Sequence, residues 1–423
     1  MNAAIFYPVF LKANGVTIDS RKVKTGDVFF AFSGESFDAA TLAEDAVNRG
    51  AVAVIVENEA FANASRQIFY VPSTLEFLQE LASYHRQQLD IPVIALTGSN
   101  GKTTTKEIIH AVLSQKYNVQ FTQGNLNNHI GVPLTLLSIN KTHEMAVVEM
   151  GANHQKEIEF LCGIAKPTIG YITNFGKAHL EGFGGVEGVI KGKSELYEYL
   201  QQNDGKILLN ENDQIQLEKT AGYPHLITFG RESSDYFFNE INEQNFVGLN
   251  YKAENALSRL TGAYNFTNLC AAASLGFNFG LNFTQIKTAI ENYQPQNMRS
   301  QIMQKAGKTL VLDTYNANPS SMTEALKNFS NFEGSKTVIM GDMLELGAES
   351  DTEHASILRE AESLGFEEII TVGENFKKIN NISQAYSNAA EFIEMLRQNP
   401  LTSKNILLKA SRGIALEAVL DYI

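Results

Sequence analysis

The run Val93-Ile94-Ala95-Leu96, continued by Thr97-Gly98-Ser99-Asn100-Gly101-Lys102-Thr103-Thr104, decides the fold class. Its first four residues read as a short buried strand. After the loop, Ile108, Ile109, Val112 and Leu113 recur on one face of a helix. A glycine loop between strand and helix is where a phosphate loop lies. The glycines let the backbone curl so that its N–H groups face an anion, and the helix N-terminus adds positive potential. Lys102 then reaches the β- and γ-phosphates of ATP, and the Thr103 hydroxyl binds Mg²⁺. Gly98, Ser99, Asn100, Gly101, Lys102, Thr103 and Thr104 are the resulting nucleotide candidates. The strict pattern has glycine where this chain has Leu96, so the loop is a shortened variant. A plain glycine turn with a solvated lysine is the duller reading, and the strand–loop–helix context disfavours it.

On both sides of this loop, short apolar runs alternate with helical patterns, which reads as α/β in three domains. Residues 1–89 predict a small α/β domain. Its strands are Val28–Phe32, Val52–Val56 and Ile68–Val71. Its helices are Thr41–Asn48, closed by Gly50, and Thr74–Gln88, with Ser73 as N-cap. Residues 90–295 predict a parallel-sheet nucleotide domain, with further buried strands at Ala146–Val148 and Ile169–Ile172. Residues 296–423, after the linker-like Gln294-Pro295-Gln296-Asn297, predict a Rossmann-like domain with strands Leu310–Leu312, Val338–Met340, Ile369–Val372 and Ile406–Leu408. That domain has no GxGxxG, so no dinucleotide is expected.

The 423 residues carry a formal charge of −13, which disfavours nucleic-acid coating or an anionic membrane. Two distant cysteines, Cys162 and Cys270, argue against a disulfide framework. No apolar run spans a bilayer, and the first eleven residues lack a signal peptide's pattern. A soluble cytoplasmic protein, a monomer without membrane insertion, is the expectation.

Phosphoryl transfer needs cations against the charge on the phosphate oxygens. Glu149 ends one central strand and His179 follows another, so together they could hold a second Mg²⁺. Each also has a plain reading, as a capping or solvated carboxylate and as a hydrogen-bonded loop histidine. Lys191 and Lys193 open the helical stretch Ser194–Leu200 and chemically resemble surface lysines.

The ordered set of motifs resembles the Mur ligase family over almost the whole chain. Thr97–Thr104 is similar to its ATP loop, and Thr122–Pro133, with Asn125 and Asn128, to its substrate-facing segment. Val148–Ala152 and Asn174–Phe183 resemble its metal strands. Gly192–Tyr197 resembles the stretch with its modified lysine, and Tyr264–Asn268 its adenine-contacting helix start. The resemblance implies Mg²⁺ ligation by Thr103, Glu149, His179 and a CO₂-derived carbamate on Lys193, with Lys102, Lys193 and His179 as catalytic residues. It implies nucleotide contacts from Asn265, Asn268, Arg299 and Asp313. Ser20 and Arg21 would meet the UDP end of a precursor. Tyr315, Asn316 and Asn318, with Gly341–Gly347 and Ser411–Arg412, point to a member that joins D-Ala-D-Ala to UDP-MurNAc-tripeptide. Two segments depart from the family: Asp38-Ala39-Ala40 replaces Asp-Gly-His, and Tyr264 replaces a histidine. Rival expectations are a sibling ligase adding a single amino acid, a folylpolyglutamate synthetase, a P-loop kinase or NTPase, and a non-catalytic binding module.

Overall fold

The structure is a computed structural model that describes residues 1–295, 298–379 and 384–423. Three sheets dominated by parallel strands follow one another along the chain. The first takes Gly15–Thr17, Asp27–Ala31, Ala53–Val56 and Ile68–Tyr70 in chain order, all parallel. Asp27–Ala31 and Ala53–Val56 are buried at every position, because helices or neighbouring structure cover both faces. Helix Thr74–Gln87 is capped as expected, with Ser73 Oγ accepting from the Glu76 N–H at 3.2 Å. The helix expected at Thr41–Asn48 divides into a 3₁₀ turn, Ala39–Leu42, and a short α-helix, Ala43–Asn48. Asp38 causes the early start by accepting from the Ala40 N–H.

The second sheet has six parallel strands in the order Leu226–Phe229, Lys206–Asn210, Ile169–Ile172, Val93–Thr97, Met145–Glu149, Val119–Phe121. The strand before the glycine loop is therefore flanked by the two other strands read from sequence. Val93–Thr97 thus lies inside a parallel sheet, and ligands of such sheets bind in the crevice outside the carboxyl ends of the strands. Helix Lys102–Leu113 buries Ile108, Ile109, Val112 and Leu113 in one core with Ala271, Ala272 and Leu275 of helix Ala263–Asn278. A three-stranded antiparallel sheet, Asn239–Glu243, Phe246–Tyr251 and Glu254–Leu257, joins the same core. The two cysteines are buried and unpaired.

The third sheet runs Gln301–Lys305, Lys308–Asp313, Asn405–Lys409, Lys336–Gly341, Glu368–Val372, Ala385–Tyr386, with only the first pair antiparallel. All four strands expected here are present. Gln296 and Asn297 of the linker-like segment lie outside the described residues. Among the described residues, no helix is long and apolar enough to cross a membrane.

Candidate active site

The carboxyl edge of the second sheet and that of the third face one cleft of about 1080 Å³. Ser99 to Thr104 line its floor. Around them stand Asn125, Asn128, Glu149, His179, Asn265 and Asn268 of the central sheet and its helices. Arg299, Asp313, Tyr315, Asn316 and Asn318 close it from the third sheet. Most candidates drawn from scattered motifs thus share one space.

The phosphate loop is held from behind. Gly98 has φ +143°, and a Cβ there would lie 2.0 Å from Thr173 Oγ1, so only glycine fits. Asn174 Oδ1 accepts from the Asn100 N–H at 3.0 Å. Thr173 Oγ1 and Asn174 Nδ2 donate to the Asn100 carbonyl at 2.6 and 3.0 Å. Lys102 Nζ curls back to the carbonyls of Gly98 (2.6 Å) and Ser99 (3.2 Å). Burial holds its ammonium down to about 8; Glu149 pulls the other way and Arg299 adds to the drop.

Glu149 is the charge at the centre. Its Oε1 accepts from Asn127 Nδ2 at 2.7 Å and from Thr103 Oγ1 at 3.2 Å. Oε2 lies 3.6 Å from Lys106 Nζ and has no hydrogen bond. A buried carboxylate oxygen free of donors, beside a threonine hydroxyl, suits a hard cation such as Mg²⁺, which prefers oxygen ligands. His179 stands in the left-handed region (φ +52°) and its Nδ1 meets the Glu345 carboxylate from the third domain. The imidazole holds that carboxyl below its usual range. No cluster of three or more His, Cys, Asp or Glu side chains with metal-binding spacing occurs among the described residues.

Lys193 overturns its surface reading. It does not open a helix at residue 194; the helix is Val186–Gln202, and Lys193 lies inside it with no exposed area, while Lys191 faces solvent. Its Nζ donates to the Ala152 carbonyl at 3.2 Å, on the wall of the cleft, and lies 5.0 Å from the Phe183 ring centroid. Burial pushes the amine well below its ordinary range, Lys102 adds to this, and Glu157 and Glu195 oppose it.

Asn265 and Asn268 form a chain: Thr105 Oγ1 donates to Asn268 Oδ1 (2.9 Å), Asn268 Nδ2 to Asn265 Oδ1 (2.8 Å), and Asn265 Nδ2 to the Thr261 carbonyl (2.7 Å). Tyr264, in the place of the family histidine, shares a 2.6 Å hydrogen bond with Ser300. The Arg299 guanidinium stacks 3.6 Å from the Tyr315 ring centroid. Asp313 pairs with the buried Lys409 at 2.6 Å.

Besides Gly98 and Lys193, which adjoin the cleft without lining it, four candidates stand apart from it. Ser20 and Arg21 sit in the first domain, where Arg21 is exposed and forks onto Asp19 at 2.9 Å. Ser411 is buried and structural: its Oγ accepts from the Leu344 N–H (3.0 Å) and donates to the Ala317 carbonyl (3.3 Å). Arg412 is exposed and pairs with Glu417 at 3.1 Å. The Gly341–Gly347 motif is a loop pinned by His354. That ring accepts from the Met343 N–H (3.0 Å) at Nε2 and faces the Ser350 carbonyl (2.7 Å) at Nδ1, and so the loop presents Glu345.

Sequence reasoning missed Lys106, Asn127, Glu345 and Lys409. Lys409 had a signal, a lysine closing the apolar strand that starts at Asn405. Lys106 had none, since its partner Glu149 is 43 positions away in the chain.

A phosphate loop, an acidic strand end and a second α/β domain closing one cleft define a nucleotide-dependent enzyme of several domains. Residues 12–86 match the Mur ligase family catalytic domain, 96–276 the Mur ligase middle domain and 298–414 the Mur ligase glutamate ligase domain. The chain belongs to the Mur ligase family. It is 34% identical to the UDP-N-acetylmuramoyl-tripeptide–D-alanyl-D-alanine ligase of Escherichia coli K12, over 96% of this chain and 92% of that one. The enzyme of the same name from Bacillus subtilis is 31% identical, over 96% and 92%. Among solved structures, MurF from Acinetobacter baumannii superposes with a TM-score of 0.85 at 32% identity, covering 99% of this chain and 98% of that one. MurF ligase from Thermotoga maritima, in complex with ADP, gives 0.84 at 27%, covering 98% and 97%.

Proposed function

We propose that this chain is an ATP-dependent ligase that joins D-alanyl-D-alanine to UDP-N-acetylmuramoyl-tripeptide, releasing ADP and phosphate in peptidoglycan precursor synthesis. The supporting observation is the cleft itself, where the phosphate loop, the Glu149 carboxylate and the third-domain loop Tyr315–Asn318 face one space. Likeness to relatives of that name along nearly the whole chain supports the choice of substrates.

In this reading residues 1–89 hold the UDP end through Ser20 and Arg21, 90–295 bind ATP, and 296–423 close on it and bring the dipeptide. The γ-phosphoryl group of ATP passes to the terminal carboxylate of the tripeptide, giving an acyl phosphate and ADP. The uncharged amine of D-Ala-D-Ala attacks that carbonyl, and the tetrahedral adduct collapses to the amide and phosphate. The protein's part is positioning and charge neutralisation. Lys102 leaves its two loop carbonyls for the phosphates. Asn265 and Asn268 face the adenine, and Arg299 and Asp313 bracket the nucleotide from the third domain. Asn125 and Asn128 flank the peptide, Tyr315, Asn316 and Asn318 the dipeptide, and Ser411 braces that loop through the Ala317 carbonyl, whereas Arg412 is held by Glu417. Glu149, Thr103 and His179 would hold Mg²⁺, whose charge offsets that of the phosphate oxygens. Lys193 suits carbamylation, because burial favours the neutral amine, the form that reacts with CO₂, and the carbamate would supply two oxygens sharing one negative charge next to the Ala152 wall of the cleft. The chain acts as a monomer in the cytoplasm.

The test is phosphate release from ATP with UDP-MurNAc-tripeptide present, with and without D-Ala-D-Ala. Dipeptide-dependent release with a pentapeptide product by mass is expected. Release that responds only to a single amino acid would move the chain to a sibling activity.

A further inference from the structure

Lys106 lies one helical turn beyond Lys102 and has no exposed area. Its Nζ is 3.6 Å from Glu149 Oε2, donates to the Gly124 carbonyl at 3.2 Å and sits 5.7 Å from the Phe121 ring centroid. Burying an ammonium is costly, and an apolar side chain of the same volume would usually do as much for stability. What an ammonium alone supplies is charge. It supplies it at the one Glu149 oxygen that Thr103 and Asn127 leave free. Through Gly124 it also ties the phosphate-loop helix to the segment bearing Asn125 and Asn128, which line the cleft.

We infer that Lys106 is a positioning residue: it holds the Glu149 carboxylate in place while the site lacks nucleotide, and it weakens capture of a free divalent ion there. An ammonium beside the carboxylate repels a dication that seeks the same oxygen. The anionic phosphates of ATP outweigh that repulsion, so the ion enters with the nucleotide. The inference rests on the proposed role of Glu149 as a Mg²⁺ ligand, and its own content is the ordering imposed by Lys106.

Mn²⁺ binding to the nucleotide-free full chain, followed by electron paramagnetic resonance, tests it. Lys106→Met should bind Mn²⁺ more tightly than the parent, by about tenfold or more, and adding Glu149→Gln should remove the gain. Lys106→Gln keeps a donor for Gly124 without the charge. It carries the same expectation should the methionine variant not fold. A purely structural lysine predicts a lower melting temperature with unchanged or weaker Mn²⁺ binding, and that result overturns the inference. So does a gain that survives Glu149→Gln, since the ion then lies elsewhere. The parent's dipeptide-dependent ligation is measured separately, so loss of the proposed function would show without touching the Mn²⁺ result.

Discussion

ATP binding should change the protonation of Lys102, and by an amount that can be worked out. Without nucleotide, burial holds its ammonium down to about 8 instead of the ordinary 10.5. Below that window the lysine is charged in folded and unfolded chains alike, and the folded protein bears the full burial cost. Between the two values the folded protein has lost a proton that the unfolded chain keeps, so stability rises with pH there. At about 1.36 kcal/mol per pH unit the gap between 10.5 and about 8 sets an upper limit of about 3.4 kcal/mol on the penalty at neutral pH, because water reaches the cleft. Bound phosphates provide the missing counter-charge and return the amine toward its ordinary range. The expected uptake is about 0.1 proton per ATP at pH 7, about 0.5 at pH 8 and about 0.9 at pH 9. Isothermal titration calorimetry in buffers of different ionisation enthalpy, at saturating Mg²⁺, reads this number directly. Lys102→Met should abolish the uptake. Uptake that stays flat from pH 7 to 9, or that persists in the variant, would refute the assignment.

Four further outcomes are expected. Lys193→Met should cut pentapeptide formation on the order of 10²-fold or more while leaving the melting temperature equal or higher, because it swaps a buried amine for an apolar chain; activity within a few-fold of the parent would deny Lys193 a role. In Gly98→Ala, the new Cβ meets Thr173 Oγ1 at 2.0 Å and its backbone nitrogen at 2.9 Å, so the loop must shift. ATP affinity should drop about tenfold or more, and an unchanged dissociation constant would count against the loop as the phosphate cradle. Asn268→Ala leaves the Thr105 hydroxyl and Asn265 Oδ1 without partners, a loss of about 1–3 kcal/mol in urea unfolding; a loss near zero contradicts the network. Because the attacking dipeptide amine must be uncharged, and α-amino groups titrate near 7.7–8.0, the rate at subsaturating dipeptide should fall about tenfold per pH unit below that range. A profile flat from acid to neutral pH would exclude amine attack as described.

Much of this protein was legible locally. A buried strand that runs into Thr97–Thr104 and then an amphipathic helix can form only one local structure, and the structure has it. Apolar runs such as Leu310–Leu312 and Ile406–Leu408 became buried strands because a sheet covered on both faces needs nothing else from them. The antiparallel strands between Asn239 and Leu257 escaped notice because Asn239–Glu243 is almost wholly polar and lacks apolar alternation. The helix around Lys193 was read too short because Glu187, Gly188, Lys191 and Gly192 interrupt the apolar pattern ahead of Ser194, and its burial depends on packing against other elements.

By itself, then, the chain determined its α/β class, the phosphate loop and the order of the motifs, since each depends on neighbours a few residues apart. Tertiary structure alone decided the charges. Lys193 is indistinguishable from Lys191 in a chemical reading of sequence, yet one is sealed against Ala152 and the other is solvated. Likewise Lys106 meets Glu149, and His179 meets Glu345, only because separate strands and domains converge. Burial and ion pairing are properties of what surrounds a side chain in space, and the partners that decide these three sites, Ala152, Glu149 and Glu345, each lie more than forty residues away in the chain.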